Sequence, residues 1–363
     1  MRPLTVASPS KTGNVTIGSL QLESGKVLQD VSLAYERSGS LDAPVILVCH
    51  ALTGNQYAVG TDDTPGWWAG LINQGSYIDT NKYQVISFNV LGGCDGSTGP
   101  LSENPETGKP YKGDFPFLTI RDMVNAQYEA LQRLGITHLK AVLGGSLGGM
   151  QVMEWGILYP DMMDVIFPIA ATPYLSDYAI AFNNIARVAI TSDPNWNNGQ
   201  YSHDSLPESG LSIARMIGMI TYRTDNLFND RFSREQTETG IGESHKEATY
   251  QIESYLNYQG KKIAQRFDPN SYLYLLRAMD SHDIGRGRGG WQQALSLIRS
   301  PIVAIGFEGD LLYPPSKLEL LTNEANQRGG KADFHKVNTR FGHDGFLVEF
   351  ENWGNLIQNQ LNE

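Results

Sequence analysis

Leu139-Lys140-Ala141-Val142-Leu143-Gly144-Gly145-Ser146-Leu147-Gly148-Gly149-Met150 is the stretch that decides the fold. A short apolar run, as in a buried strand, feeds into Gly-x-Ser-x-Gly and then into a helical segment. A serine at such a turn sits in strained backbone geometry, where bulky neighbours would clash. Glycines at the −2 and +2 positions, Gly144 and Gly148, relieve the crowding and let the hydroxyl project above the sheet. The helix that follows presents N–H groups that favour developing negative charge. The bare motif is common by chance; strand before and helix after make it specific. The competing readings are a plain Gly-rich turn and a dinucleotide loop. The latter wants Gly-x-Gly-x-x-Gly near the first strand and an acid about 20 residues on. Here the glycines follow a middle strand and that spacing is absent.

Working outward, short continuous apolar runs predict strands buried on both faces at Val45–Cys49, Tyr83–Val90, Leu139–Leu143, Val165–Ala171 and Pro301–Phe307. Before them, Asn14–Leu22 and Val31–Tyr35 alternate around a turn at Ser24-Gly25-Lys26. Thr119 and Asp122 resemble a capping box, opening a helix that runs to Gly135. A second helix is expected from Leu147 to Tyr159, stopping before Pro160. Strands alternating with helices imply an α/β fold with a mostly parallel sheet covered on both faces. The rhythm breaks over residues 174–290, a polar stretch whose Ile213, Met216, Ile217 and Ile220 make one apolar helix face. The economical division is a core in two parts, 1–173 and 291–363, with a helical lid inserted at 174–290. A separate partner-binding module is the alternative for that insertion.

Composition narrows the function. Lys and Arg number 28 against 39 Asp and Glu, a formal net charge of −11. No basic tract interleaved with aromatics is present, so no nucleic-acid partner is expected. Met1–Thr5 lacks the apolar stretch of a signal peptide. No apolar run nears the ~18 residues that span a membrane. Cys49 and Cys94 suggest neither a disulfide framework nor a zinc site, and read as small buried hydrophobes in a reducing cytoplasm. No metal and no permanently bound cofactor is expected.

A serine nucleophile needs a base, and the base an orienting acid, in the chain order Ser, Asp or Glu, His. After Ser146, the strand Pro301–Phe307 ends in Glu308-Gly309-Asp310, where catalytic groups of such sheets collect. Phe341-Gly342-His343-Asp344-Gly345 then precedes an amphipathic Phe346–Ile357, read as the last helix. Asp310 and His343 fit the acid and base slots; Glu308 is a rival acid. His282, beside Asp283, is a rival base, but it precedes Asp310 and breaks the order. Leu147, after the nucleophile, and Leu52, in the loop after Val45–Cys49, suit the two backbone donors of an oxyanion hole. His50 simply braces that loop.

At this point the chain resembles the homoserine O-acetyltransferase family of the α/β-hydrolase superfamily, over about Gly18 to Asn359. The resemblance rests on His50-Ala51-Leu52-Thr53-Gly54, Pro65-Gly66-Trp67-Trp68, Asn89-Val90-Leu91-Gly92-Gly93-Cys94, Gly96-Ser97-Thr98-Gly99-Pro100, Asn104-Pro105-Glu106-Thr107-Gly108, Thr119-Ile120-Arg121-Asp122, Ala214-Arg215-Met216-Ile217, Ile220-Thr221-Tyr222 and Arg286-Gly287-Arg288-Gly289-Gly290. Leu147 stands where methionine is usual, Met219 where histidine is frequent, and Asp95 where tyrosine is frequent. The resemblance implies a triad of Ser146, Asp310 and His343, and substrate contacts at Thr53, Arg215, Tyr222 and Asp344. It implies a cytoplasmic enzyme of methionine biosynthesis that uses acetyl-CoA and L-homoserine, and a homodimer through the lid helices. A succinyl donor, a serine acceptor, or esterase or thioesterase activity are the alternatives. An acyl-CoA carries phosphates, so a −11 protein needs a local basic spot. Arg286 and Arg288 are candidates, unless they pair with acids in a structural hairpin.

Overall fold

The computed structural model of the protein describes residues 10–238 and 248–363. The N-terminal Met1–Thr5 and His245 lie outside the described residues. The strands of the main sheet are β1 (Lys11–Gln21), β2 (Val27–Ser38), β3 (Val45–Cys49), β4 (Gln84–Phe88), β5 (Ala141–Gly145), β6 (Ile166–Ile169), β7 (Ile302–Phe307) and β8 (Ala332–Val337). They form one eight-stranded sheet in the order β1-β2-β4-β3-β5-β6-β7-β8. β1 with β2 and β2 with β4 are antiparallel. Every pairing from β4–β3 to β7–β8 is parallel.

The pleat explains why the strand sequences are apolar without alternation. In β3, Leu47 and Cys49 enter one core cluster while Ile46 and Val48 enter the other. Val142 and its neighbours Ala141 and Leu143 split the same way in β5. Each face is closed by helices, so both sets of side chains are buried. The helices are α1 (Ile120–Arg133), α2 (Leu147–Leu158), α3 (Asp177–Thr191), α4 (Glu208–Thr221), α5 (Asp225–Phe232), α6 (Gln251–Ala264), α7 (Pro269–Asp280), α8 (Trp291–Leu295), α9 (Pro315–Gln327) and α10 (Phe350–Leu361). Leu131 of α1, Trp155 of α2 and Leu318 of α9 fill the first cluster; Trp353 and Ile357 of α10 fill the second. The capping box of α1 is present: Asp122 N–H donates to the Thr119 hydroxyl, and Thr119 N–H to the Asp122 carboxylate at 2.8 Å.

Three expectations need correction. β5 runs two residues past the expected end, because Gly144 and Gly145 pair with Pro168 and Ile169 of β6. The last helix starts at Phe350 rather than Phe346: residues 342–347 form a 3-10 turn, and Glu349 has φ of +50°. Cys49 is buried as expected, but Cys94 is only half-buried.

Between β6 and β7 the described chain forms α3 to α8. On α4 the buried face is the small one, Leu211, Ala214 and Gly218. A Cβ at Gly210 would lie 2.5 Å from the Ala189 carbonyl oxygen of α3. One at Gly260 of α6 would lie 2.0 Å from Ser212 Oγ. Glycine therefore lets α4 press backbone against α3 and α6. Of the apolar stripe, Met216 and Ile217 are half-buried, while Ile213 and Ile220 point outward, 47% and 51% exposed.

Candidate active site

β5 delivers Ser146 at φ +59°, ψ −123°, a conformation that costs a non-glycine residue about 1–3 kcal/mol. Its N–H is pinned to the Ile169 carbonyl at 3.0 Å. The need for glycine is visible in the neighbours. A Cβ at Gly148 would sit 2.1 Å from the Cys49 carbonyl oxygen, and one at Gly144 2.7 Å from the same atom. The elbow is thus packed onto the end of β3, the strand that leads into the oxyanion loop.

Asp310 follows β7. Its Oδ1 accepts the N–H groups of Leu312 and Tyr313 at 3.0 and 2.8 Å, which fixes the carboxylate. Its Oδ2 bonds His343 Nδ1 at 2.7 Å. Holding Nδ1 this way leaves Nε2 as the nitrogen free to accept a proton. Both residues are buried. Burial pulls the His343 pKa down, but the charge and hydrogen bond of Asp310, with the charge of Asp344, leave it above its ordinary value. The rivals fall away. Glu308 is tied to Lys336 at 2.9 Å in a half-exposed pair. His282 is buried with Nε2 on the Thr172 carbonyl at 2.9 Å.

The turn bearing His343 is anchored by the Trp68 indole N–H, which donates to the Phe346 carbonyl at 2.9 Å. This gives the Pro65-Gly66-Trp67-Trp68 motif a physical role. Rings of Tyr222, Tyr313 and Phe346 surround the imidazole, with centroids 5.6, 4.9 and 5.3 Å away. Tyr313 is fully buried, and its hydroxyl interacts with the Ser146 side chain. Among the described residues, the N–H groups of Leu52 and Leu147 donate to no protein acceptor, as oxyanion donors should. His50 braces their loop: its Nδ1 meets the Ala51 carbonyl at 2.7 Å, and its Nε2 accepts the Val90 N–H at 3.0 Å. Burial depresses its pKa to about 4, so it stays neutral.

Arg215 of α4 and Tyr222, the residue that ends α4, interact electrostatically, and Tyr222 also interacts with Tyr272 of α7. Among the described residues no carboxylate pairs with Arg215. Asp344 N–H donates to the Tyr222 carbonyl at 3.0 Å, tying the end of α4 to the histidine turn. Asp344 is not free: Arg223 Nε holds its Oδ2 at 2.8 Å, while Oδ1 has no hydrogen bond among the described residues. Thr53 is half-buried, and its carbonyl accepts Arg266 Nη1 at 3.0 Å. Arg286 and Arg288 turn out to be structural. They pair with Glu23 and Glu154, each at 2.8 Å, and Arg121 bridges the same two acids. Tyr313, Arg223, Tyr272 and Arg266 are the site residues that sequence reading misses. Only Tyr313, three positions after the acid, carried a local cue.

Residues 44–350 match the family described as alpha/beta hydrolase fold. The homoserine O-acetyltransferase of Moorella thermoacetica is 44% identical over 95% of this chain and 94% of its own. The crystal structure of homoserine O-acetyltransferase from Bacillus anthracis superposes with a TM-score of 0.91 at 28% identity, covering 98% of each chain. That of esterase E22 gives 0.90 at 29% identity, covering 97% of this chain and 100% of that one. By sequence over nearly its whole length and by fold, the chain belongs to the α/β-hydrolase family and, within it, to the homoserine O-acetyltransferases.

Proposed function

We propose that this acyltransferase moves the acetyl group of acetyl-CoA to the side-chain hydroxyl of L-homoserine, on the route to methionine, by a ping-pong path through acyl-Ser146. The observation that carries the reading is the Asp310–His343 hydrogen bond, with Tyr313 against both His343 and the strained Ser146, and with Arg215, which pairs with no carboxylate among the described residues, next to Tyr222. Ser146 Oγ attacks the thioester carbon and its proton passes to His343 Nε2. The N–H groups of Leu52 and Leu147 receive the oxyanion, each worth about 3–4 kcal/mol in comparable sites. The tetrahedral adduct collapses, and the departing CoA sulfur takes the proton from His343. Homoserine then enters, His343 accepts its hydroxyl proton, and the alkoxide attacks the acyl-serine. Collapse returns the proton from His343 to Ser146 Oγ.

Homoserine brings a carboxylate and an ammonium. Arg215 can take the first bidentately, with Tyr222 and Thr53 shaping the pocket. Asp344, steadied by Arg223, offers Oδ1 to the second. Residues 174–290 act as the lid, between core segments 1–173 and 291–363. The enzyme works in the cytoplasm as a homodimer, with the outward stripe of α4 at the interface.

Hydrolysis is the second reading, because esterase E22 shares the fold. CoA release from acetyl-CoA decides between them: it is expected to depend on homoserine, and equal release without homoserine sinks the transferase reading. Succinyl-CoA and serine serve as the competing donor and acceptor. One methylene between serine and homoserine is worth only ~1–3 kcal/mol, so both are run in the same assay and scored by product mass. Arg215→Ala is expected to raise the homoserine KM more than the acetyl-CoA KM; equal effects would remove the carboxylate assignment.

A further inference from the structure

With Arg286 and Arg288 committed to glutamates, the phosphates of an acyl donor need another seat. A cleft of about 780 Å³ opens beside the oxyanion loop, in the size range of small-molecule sites. Thr53, one residue past Leu52, lines it, and Tyr57 and Trp67 add rings. Lys262 and Arg266 line it too. They stand four positions apart, Lys262 on α6 and Arg266 just past its end, a spacing at which like charges repel. Among the described residues neither has a carboxylate at ion-pair distance. Arg266 is not a stray surface cation, because its bond to the Thr53 carbonyl fixes it where the cleft meets the oxyanion loop. It also feels the like charge of Arg215, and the charge of Asp95 offsets this in part. Glu36, in the same cleft, is buried; its carboxylate accepts the N–H groups of Val59 and Gly60, both at 2.8 Å, and the Ser10 hydroxyl at 3.0 Å.

Two unpaired guanidinium groups in one field call for anions, and they divide between two places. We infer that the cleft outside Thr53 holds the phosphate-bearing nucleotide end of the acyl donor, gripped by Lys262 and Arg266 with Trp67 or Tyr57 against the purine, while Arg215 is left for the acceptor's carboxylate. This rests on the acyl-CoA reading above. It also meets the need for a local cationic spot in a −11 protein.

The test compares a donor with phosphates and one without. Acetyl-CoA and the phosphate-free thioester S-acetyl-N-acetylcysteamine are turned over by wild type, Lys262→Glu and Arg266→Gln, and adenosine 3′,5′-bisphosphate and CoA are titrated by calorimetry. Lys262→Glu is expected to raise the acetyl-CoA KM and weaken bisphosphate binding by about tenfold or more, with the cysteamine thioester rate changed less than about twofold. Retained cysteamine turnover also shows that the variant is folded. Arg266→Gln is expected to weaken bisphosphate binding likewise. CoA and bisphosphate affinities unchanged in both variants overturn the cleft alone, as does an equal loss with both donors. A wild type that binds neither CoA nor the bisphosphate overturns the cleft together with the transferase reading.

Discussion

Burial holds the phenol of Tyr313 well above its usual pKa, so its hydroxyl stays protonated beside Ser146 Oγ. The same residue's backbone N–H steadies Asp310, so Tyr313 meets Ser146 with its side chain and Asp310 with its amide. The pairing of Asp310 with His343 and the turn at Ser146 were legible in the sequence, because Ser146 and Asp310 follow recognisable strand ends and His343 comes next in the expected chain order. The groups that support them were not. Arg223 reaches Asp344 across 121 residues and Arg266 reaches Thr53 across 213, distances over which no local motif exists. On the proposed mechanism His343 is the base and sets the pH dependence. His343 must be neutral to accept the serine proton, and its pKa is raised, so kcat/KM should climb with pH through a midpoint above 6.5. Asp310→Asn should lower kcat by about 10⁴-fold and lose that raised midpoint. A pH–rate profile of wild type with a midpoint below 6.5 would contradict the dominance of Asp310.

Elements were read well where apolar runs or caps define them, and poorly where neighbours decide. The five buried strands and the capping box of α1 followed from local pattern. The limits of β5 and the start of α10 did not, because pairing to β6 and the 3-10 turn around His343 override propensity. The stripe on α4 taught more. Periodicity gave an apolar face, but the helix buries glycine and alanine against α3 and α6 and turns isoleucines outward. Tyr178, Ile185 and Val188 of α3 are exposed too. Charges placed on such exposed positions cost a monomer only ~0.5 kcal/mol. Ile213→Asp combined with Ile220→Asp is therefore expected to halve the mass seen by sedimentation while leaving the thermal midpoint of each subunit nearly unchanged. A wild type that sediments as a monomer removes the interface assignment.

For the whole molecule, buried histidines make acid a destabilising agent. The unfolded chain protonates His50 near pH 6.5, whereas the folded chain resists until about 4. His282 is lowered in the same sense, first by burial. Stability from these two is full above 6.5 and falls as pH drops from 6.5 toward 4, by about 3 kcal/mol for His50 alone. His343 acts oppositely, since its raised pKa adds stability at low pH that fades as pH rises through its folded value. Denaturant unfolding at pH 7 and pH 5 should show the net loss at pH 5, and His50→Gln should flatten it. An unchanged slope in that variant would mean that His50 is not a source.

The Trp68–Phe346 bond joins positions 278 residues apart, as does the bond from the Tyr83 hydroxyl to the Leu361 carbonyl. A chain growing from its N-terminus therefore carries Ser146 long before His343, the base of the proposed mechanism. On that mechanism, while β8 and α10 are still to come, Ser146 lacks its base and the nascent protein cannot take an acyl group. Closing loops of that length comes late, so on refolding the recovery of chemistry should trail the recovery of helix.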